Sequence, residues 1–278
     1  MSTRQGEKSL VSIVVTTKNE RRVIADCLSS IKRQTYKNIE ILVIDNNSKD
    51  TTQSIARKFT SLVFAKGPER SAQRNFGARK AHGAYILFLD ADMVLASDVV
   101  ALCVDECRVS GAKAVIIPEK SFGIGFWSAC KALERSFYIG IDWMEAARFY
   151  EKEAFAQIGF FDEQLTGPED FDASQRMRDR FGEENVRRIS SFIYHNEGEI
   201  KILSVLKKKY YYGRKMSLYR YKHTKNSYFE KQSNMLTRYR LFFSNPEKLF
   251  KNPLTAVGMF FLKTAEMVSI AVGAIISA

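Results

Sequence analysis

Asp90 and Asp92 close the stretch GAYILFLDADMVL, residues 83 to 95, in which a short apolar strand runs straight into two acids one residue apart. Residues i and i+2 of an extended segment point to the same side, with Cα atoms about 7 Å apart, so two carboxylates converge at the strand's end. Mg2+ or Mn2+ takes one or two protein carboxylates and completes its shell with waters and phosphate oxygens. The pair therefore suits a nucleoside diphosphate held through a metal. The plainer alternative is that both acids only break the strand and cap the next element, as Asp does in turns.

Three further places could carry chemistry. Asp45 ends the strand ILVID ahead of DNNSKD, where Ser48 and Asp50 suit a turn and the N-cap of a helix; Asp45 lies earlier than a cap requires, which favours ligand contact of the kind acidic residues make with ribose. GPEDFD puts Pro168 at the first turn of a helix with Glu169 and Asp170 just inside it, where the dipole favours ionised acids. An ionised acid facing a pocket can take the proton of an incoming hydroxyl, although acids are common in any first helical turn. His195, in YHNEG at a strand end, is either a third metal ligand or a hydrogen-bonded structural histidine.

These residues need a frame, and the hydrophobic pattern supplies one. Residues 10 to 17 read as a strand, followed by Val23, Ile24, Cys27, Leu28 and Ile31 at helical spacing. Strands over 39–44, 61–65, 84–89 and 113–117 then alternate with helices near 51–59, 70–81 and 97–109. Continuous apolar strands between amphipathic helices imply an α/β fold with a mostly parallel sheet covered on both faces. Such sheets bind ligands beyond the carboxyl ends of their strands, where residues 16–20, 45–50, Asp90 and Asp92 fall. Farther on, a helix is expected through FWSACKALERSFY, a loop at FFDEQLTGPEDFD, a helix to about Arg180 and a strand at RRISSFIYH.

The chain has 278 residues and a formal net charge of +12, from 43 Lys and Arg against 31 Asp and Glu. Eight of the cations lie in residues 201 to 222 with no acid among them. The excess could mark a nucleic acid, an anionic membrane or phosphorylated substrates. Cys27, Cys103, Cys107 and Cys130 form no CxxC pair and the first ten residues hold no apolar core, which points to a reducing cytosol. Cys103 and Cys107 are i and i+4 on a helix, but no His is near in sequence, so apolar packing is the better account of them than metal. VVTTKNERR lacks the glycines of a dinucleotide fingerprint, and no GxxxxGK[ST] occurs, so the phosphates of a nucleotide would depend on a metal.

Six stretches in order, VSIVVTTKNE, QTYKNIEILVIDNNSKDTT, RNFGARKAHGAYILFLDAD, EAFAQIGFFDE, GPEDFDASQRM and YHNEG, resemble glycosyltransferase family 2, the inverting enzymes of GT-A fold. The resemblance spans about residues 10 to 198. It implies a Rossmann-like, mostly parallel central sheet, a UDP-, GDP- or dTDP-sugar donor, Mn2+ or Mg2+, and inversion at the anomeric carbon. Carried over, Thr16, Thr17, Asn19, Glu20 and Asp45 contact the nucleoside with Arg74 nearby, and Asp90 and Asp92 form the DxD pair, with Asp92 the more direct metal ligand. Asp170 becomes the catalytic base with Glu169 beside it, and His195 a diphosphate or metal contact. Lys18 and residues 148–150 depart from the family pattern, on the donor and acceptor sides respectively.

The resemblance makes residues 1–198 a catalytic domain and 199–278 a basic, aromatic helical extension. Residues 254 to 278 are nearly long enough to cross a bilayer, but Lys263 and Glu266 interrupt them. With the basic stretch before it, the segment is expected to lie at the cytoplasmic face of the cell membrane, peripheral or monotopic, and to bring the enzyme to a lipid-linked or cell-surface glycan acceptor. The alternative is an appendage packed on the catalytic domain or on another subunit. Two other functions compete: a nucleotidyltransferase, which needs a Gly-rich phosphate loop that is not found near the start, and a nucleic-acid-binding module, against which the apolar flanks of the basic stretch argue.

Overall fold

The computed structural model describes residues 9–165, 167–222 and 227–276. The first eight residues, expected to hold no apolar core, and the last two of the apolar terminus lie outside them.

The chain divides into two compact units. The first comprises residues 1–117, 147–163 and 169–193. Its sheet contains β1 (Val11–Thr17), β2 (Ile39–Asp45), β3 (Val63–Ala65), β4 (Tyr85–Asp90), β6 (Ala114–Ile116), β8 (Ala147–Glu151) and β9 (Val186–Arg188), with β5 (Met93–Leu95) following β4. The order is β3-β2-β1-β4-β8-β6-β9. β1 is parallel to both β2 and β4, and its register sets Thr17 beside Asp45 and Thr16 beside Asp90. The polar ends of three central strands are thus aligned.

Strand alternation sorts the core onto two faces. Val11, Ile13, Val15, Leu87 and Leu89 pack with residues of α1 (Ile24–Lys32) and α4 (Val99–Ser110). Val14, Leu42, Ile44, Ile86 and Phe88 point the other way, towards residues of α3 (Arg70–Lys80), α6 (Lys152–Gln157) and α7 (Glu169–Phe181). α2 (Thr52–Ala56) is shorter than its expected span. Cys103 and Cys107 belong to the first face, and burial pushes the Cys107 thiol up to about 12, which fits the packing role.

The sheet departs from a simple alternation at one strand. β8 runs antiparallel to both β4 and β6, inserted where a purely parallel alternation would place β6 next to β4. Residues 148–150, which depart from the family pattern on the acceptor side, form this interior strand: Phe149 and Tyr150 are fully buried. Their bulk fills the core against Tyr85 and Phe88.

The second unit comprises residues 118–146, 164–168 and 194–278. It holds β7 (Glu119–Ile124) and most of β10 (Ile193–Glu199), which pair, then α5 (Phe126–Ser136), α8 (Ile202–Lys222), α9 (Ser227–Ser233), α10 (Met235–Phe243), α11 (Pro246–Lys251) and α12 (Pro253–Ile276). The expected strand at RRISSFIYH is therefore two strands, β9 and the start of β10. A single cut after residue 198 does not describe this division, because α5 shares a core with the C-terminal helices: Cys130 and Phe137 pack with Phe242, Leu249, Ala256 and Met259. Lys131 of α5 also pairs with Glu266 of α12 at 2.8 Å.

Candidate functional site

α3 is held tightly over the ends of β1 and β2. A Cβ at Gly77 would lie 2.4 Å from Val14 Cγ1, so only glycine permits this approach. One turn earlier, Gln73 Nε2 donates to the carbonyls of Ile44 at 2.6 Å and Thr17 at 3.2 Å. These contacts fix the height and rotation of the helix. Arg70 and Arg74, at i and i+4, then project from one side of it towards the end of β4.

Arg74 is fully buried. Its Nη2 donates to Asp90 Oδ1 at 3.0 Å and Oδ2 at 3.2 Å, and its Nη1 donates to Asp170 Oδ1 at 2.5 Å. Arg70 bridges Asp90 Oδ2 at 3.3 Å and Glu169 Oε1 at 2.8 Å. Thr16 Oγ1 adds a hydrogen bond to Asp90 Oδ1 at 2.9 Å. The site joins three carboxylates, from the end of β4 and the first turn of α7, through two guanidinium groups of α3.

The three acids do not titrate alike. Burial pushes the Asp90 carboxyl up, but the charges of Arg74, Arg70 and Arg148 overcome it and hold the group well below the usual range. Glu169 is likewise lowered by Arg70 and Arg74 against its burial. At Asp170 burial outweighs the cations, Glu169 adds repulsion, and the carboxyl is raised. Of the cluster, Asp170 is the acid that accepts a proton most readily. Separation of neighbouring pKa values in this way divides an acid–base role from an electrostatic one.

The loops after β1 and β2 are stitched together. Asn19, in the left-handed region at φ 56°, receives Lys49 N–H on Oδ1 at 2.8 Å and donates its own N–H to Ser48 Oγ at 2.7 Å. Glu20 lies in the same loop, its carbonyl accepting the N–H of Ile24 at 3.0 Å. Asp45 is fully buried and accepts from Ser48 N at 2.8 Å, Ser48 Oγ at 2.5 Å and Gln53 Nε2 at 2.7 Å. Neither of the two residues expected to cap α2 holds the N-cap position, which is Thr51; Asp50, one residue earlier, accepts from Thr52 N at 3.0 Å, and Ser48 serves the loop. Thr17 Oγ1 is buried and has no hydrogen-bond partner among the described residues.

Asp92 falls in a turn of residues 91–92 between β4 and β5, so the same-side argument for an extended pair stops at Asp90. Asp92 is half-buried. His195 lies on β10 in the second unit, its Nδ1 3.5 Å from Glu119 Oε2 and 4.0 Å from Glu197 Oε1. Among the described residues no three His, Cys, Asp or Glu side chains gather as a metal cluster. A hard cation shared with phosphate oxygens needs only one or two carboxylates, and the oxygen donor of Asp92 fits that requirement. Both oxygens of Asp90 are engaged by arginine.

Sequence reasoning finds Asp90, Asp170 and Arg74, and the structure joins all three. It misses Arg70, although the i, i+4 pair of arginines in ERSAQRN signals a cationic helix face in need of acidic partners. Arg148 stands out in the sequence only as a departure from the family pattern, yet its charge acts on both Asp90 and Asp170.

The model of the family described as "Glycosyl transferase family 2" matches residues 12–150. The chain is 36% identical over 91 residues to glycosyltransferase AglE of Haloferax volcanii, covering 30% of each chain. It is 36% identical over 90 residues to WfgD of Escherichia coli, named a UDP-Glc:alpha-D-GlcNAc-diphosphoundecaprenol beta-1,3-glucosyltransferase, covering 30% of this chain and 35% of that one. The matched stretch thus spans about a third of these relatives' own length. Among solved structures, the mannosyltransferase PcManGT from Pyrobaculum calidifontis, in complex with GDP-Man and Mn2+, aligns over 97% of this chain and 88% of its own, with a TM-score of 0.62 at 15% identity. That likeness concerns the fold, which is GT-A.

Proposed function

The chain belongs to glycosyl transferase family 2, and on that footing we propose that it is an inverting, metal-dependent transferase. It moves a sugar from a UDP-, GDP- or dTDP-sugar to a hydroxyl of a lipid-linked or cell-surface glycan, at the cytoplasmic face of a membrane. The observation that carries the reading is the arginine-linked cluster, in which Arg74 joins Asp90 at the end of β4 to Asp170 at the start of α7.

In this reading Asp170 takes the proton of the acceptor hydroxyl, and its raised pKa makes it a better base than an ordinary aspartate. The hydroxyl oxygen then displaces the diphosphate from the anomeric carbon in one step, which inverts that centre and needs no covalent nucleophile. Arg74 orients Asp170 through the 2.5 Å contact and ties it to the end of β4. Thr16, Thr17, Asn19, Glu20 and Asp45 form the nucleoside side; the unpartnered hydroxyl of Thr17 supports this placement. Asp92 would hold Mn2+ or Mg2+, with Asp90 beside it. The metal, when bound, supplies positive charge against the charge that builds on the leaving diphosphate.

Donor chemistry draws support from the GDP-Man and Mn2+ of the structural neighbour, and a lipid-linked acceptor from the diphosphoundecaprenol in the name of the Escherichia coli relative. The test is thermal unfolding with Mn2+ and a panel of nucleotide sugars, followed by product analysis of the stabilising donor. A donor that raises the melting temperature only with metal, and a product of inverted configuration, are expected. Absence of stabilisation by every nucleotide sugar overturns the reading.

A further inference from the structure

α12 turns its two charges inward and an apolar stripe outward. Its buried side holds Lys263 and Glu266, 6% and 0% exposed, beside Ala256, Met259 and Leu262, while Leu254, Val257, Phe261, Val268, Val272 and Ile275 are 42% to 79% exposed. Those six follow one another at steps of three, four, seven, four and three residues, which is a single stripe along a helix. A helix on a water-facing surface turns its charges outward and its apolar residues inward. Here both charges of the helix are inward and a second apolar face is left outside.

The inward ions are fully occupied. Lys263 Nζ lies 2.7 Å from Glu134 and 3.2 Å from Glu266, and Lys131 Nζ lies 2.8 Å from each of the same two glutamates. The helix is also seated closely on its neighbours. A Cβ at Gly258 would come within 2.6 Å of Cys130 Sγ on α5, and one at Gly273 within 2.3 Å of the Tyr210 carbonyl on α8. Rolling α12 to bury its stripe would strip these ions of their partners and separate backbones that now touch.

Charge identifies the surface that the stripe meets. Residues 199–278 contain fifteen Lys and Arg against four Glu, so +11 of the chain's +12 lies there, and one of the four acids is the buried Glu266. On α8, the neighbour of α12, Lys207, Lys208 and Arg214 are exposed alongside Leu203 and Tyr211. A two-fold contact between copies of this face would set like charges against like. An anionic surface with an apolar interior matches both the stripe and the cations.

We propose that the outward stripe of α12 is a docking face for an anionic lipid bilayer, with α12 lying along the interface instead of crossing it. The inference rests on the membrane side of the functional reading and not on its chemistry. At 24 residues α12 is long enough to span, about 36 Å. A crossing would carry α8 and its exposed cations into the hydrocarbon, where charged side chains are strongly disfavoured. Lying flat, the stripe enters the acyl boundary while the cations stay among the headgroups.

The test is sedimentation of the full chain with phosphatidylcholine vesicles and with vesicles of phosphatidylcholine mixed with phosphatidylglycerol. The wild type should pellet with the anionic vesicles and far less with the neutral ones. Val257→Glu/Val268→Glu should weaken anionic-vesicle binding by at least about tenfold with an unchanged melting temperature. Lys207→Ala/Lys208→Ala, confined to exposed side chains, should weaken it about thirtyfold at low salt, and by less as salt rises. A wild-type chain left in the supernatant at low salt overturns the proposal. So does a glutamate variant that is folded and pellets like the wild type, or a dimer that this variant dissolves in the absence of vesicle binding. Nucleotide protection is measured on the same samples: vesicle binding without it leaves the docking face standing and removes the transferase reading, and the converse removes only the docking face.

Discussion

Arg74 Nη1 lies 2.5 Å from Asp170 Oδ1, at the end of a guanidinium that is fully buried. Its other nitrogen holds Asp90, so the acid at the end of β4 and the acid at the start of α7 are joined through a single side chain. A change at either acid is felt by the other through this shared cation. The pairing also explains how a half-buried aspartate with a raised carboxyl stays oriented: the arginine fixes its direction, and partial desolvation sets its affinity for the proton.

Asp170→Asn should leave nucleotide binding close to that of the wild type and lower turnover by about two to four orders of magnitude, the usual contribution of a general base. The amide keeps the shape and loses the ability to accept the proton. In the wild type, activity should rise with pH through the raised Asp170 value, and this acid limb should be missing from the residual activity of the variant. Turnover at the wild-type rate would pass the role to Glu169, which shares Arg70 and Arg74.

Arg74→Ala should destabilise the protein by about 3–5 kcal/mol at neutral pH, because it leaves buried carboxylates without their shared cation. It should also change the response to acid. In the wild type, Asp90 and Glu169 have lowered folded values, so the stability they contribute is present above their unfolded values and is lost as the pH falls through the folded ones. Asp170, being raised, carries a penalty above its folded value that acid removes first. Without Arg74 the penalty at Asp170 grows, whereas Asp90 and Glu169 keep Arg70, so between neutral pH and about pH 4 the melting temperature of the variant should fall less than that of the wild type.

The alternation of β1 to β4 with their helices was legible because each strand is an unbroken apolar run ending in polar residues. Asp90 and Asp170 were legible as acids at a strand end and at a helix start. The link between them was not, because Arg74 is 96 positions from Asp170 and a helical arginine says nothing about which distant acid it meets. β8 was hidden for another reason: ARFYE is five residues long, with charges at its second and fifth places, and its burial comes from the strands on either side. Lys263 and Glu266 were visible as interruptions of an apolar segment. Only the packed structure turns them inward.

Asp92→Ala should abolish the metal-dependent part of nucleoside-diphosphate binding and leave the melting temperature nearly unchanged, since the carboxylate sits in a half-buried turn after β4. Titration of UDP or GDP with and without Mn2+ separates the two parts, and an unaltered affinity in Mn2+ would assign the metal elsewhere.

Asp45→Ala should weaken nucleotide binding with or without metal, and it should also lower stability. Its carboxylate accepts from Ser48 and Gln53, and loss of it leaves these donors without their acceptor at a cost of about 1–3 kcal/mol. Asp45→Asn keeps the size and one acceptor oxygen, so its stability should recover in part. If Asn restored stability but not nucleotide binding, the charge itself would be the recognised feature; full recovery of both would reduce Asp45 to a loop brace.

Glu266→Gln tests whether the ions of α12 belong to the packed helices. Glu266 is fully buried with Lys131 at 2.8 Å, Lys263 at 3.2 Å and Lys209 at 3.9 Å, so neutralising it leaves the buried lysines sharing Glu134. Breaking such a buried pair typically costs about 3–5 kcal/mol. Burial already pulls the Lys209 ammonium down to about 7 while Glu266 works to hold it up, so Lys209 should shed its proton in the variant at neutral pH. The exchange Lys263→Met/Glu266→Met removes one charge of each sign and keeps the volume. It retains the pairing of Lys131 with Glu134 and should be near neutral in stability. Thermal unfolding of the single and double variants decides the matter: a strongly destabilised single and a restored double place the charges in the helix core, whereas a neutral single would mean that water reaches Glu266 and that the inward side of α12 is not closed.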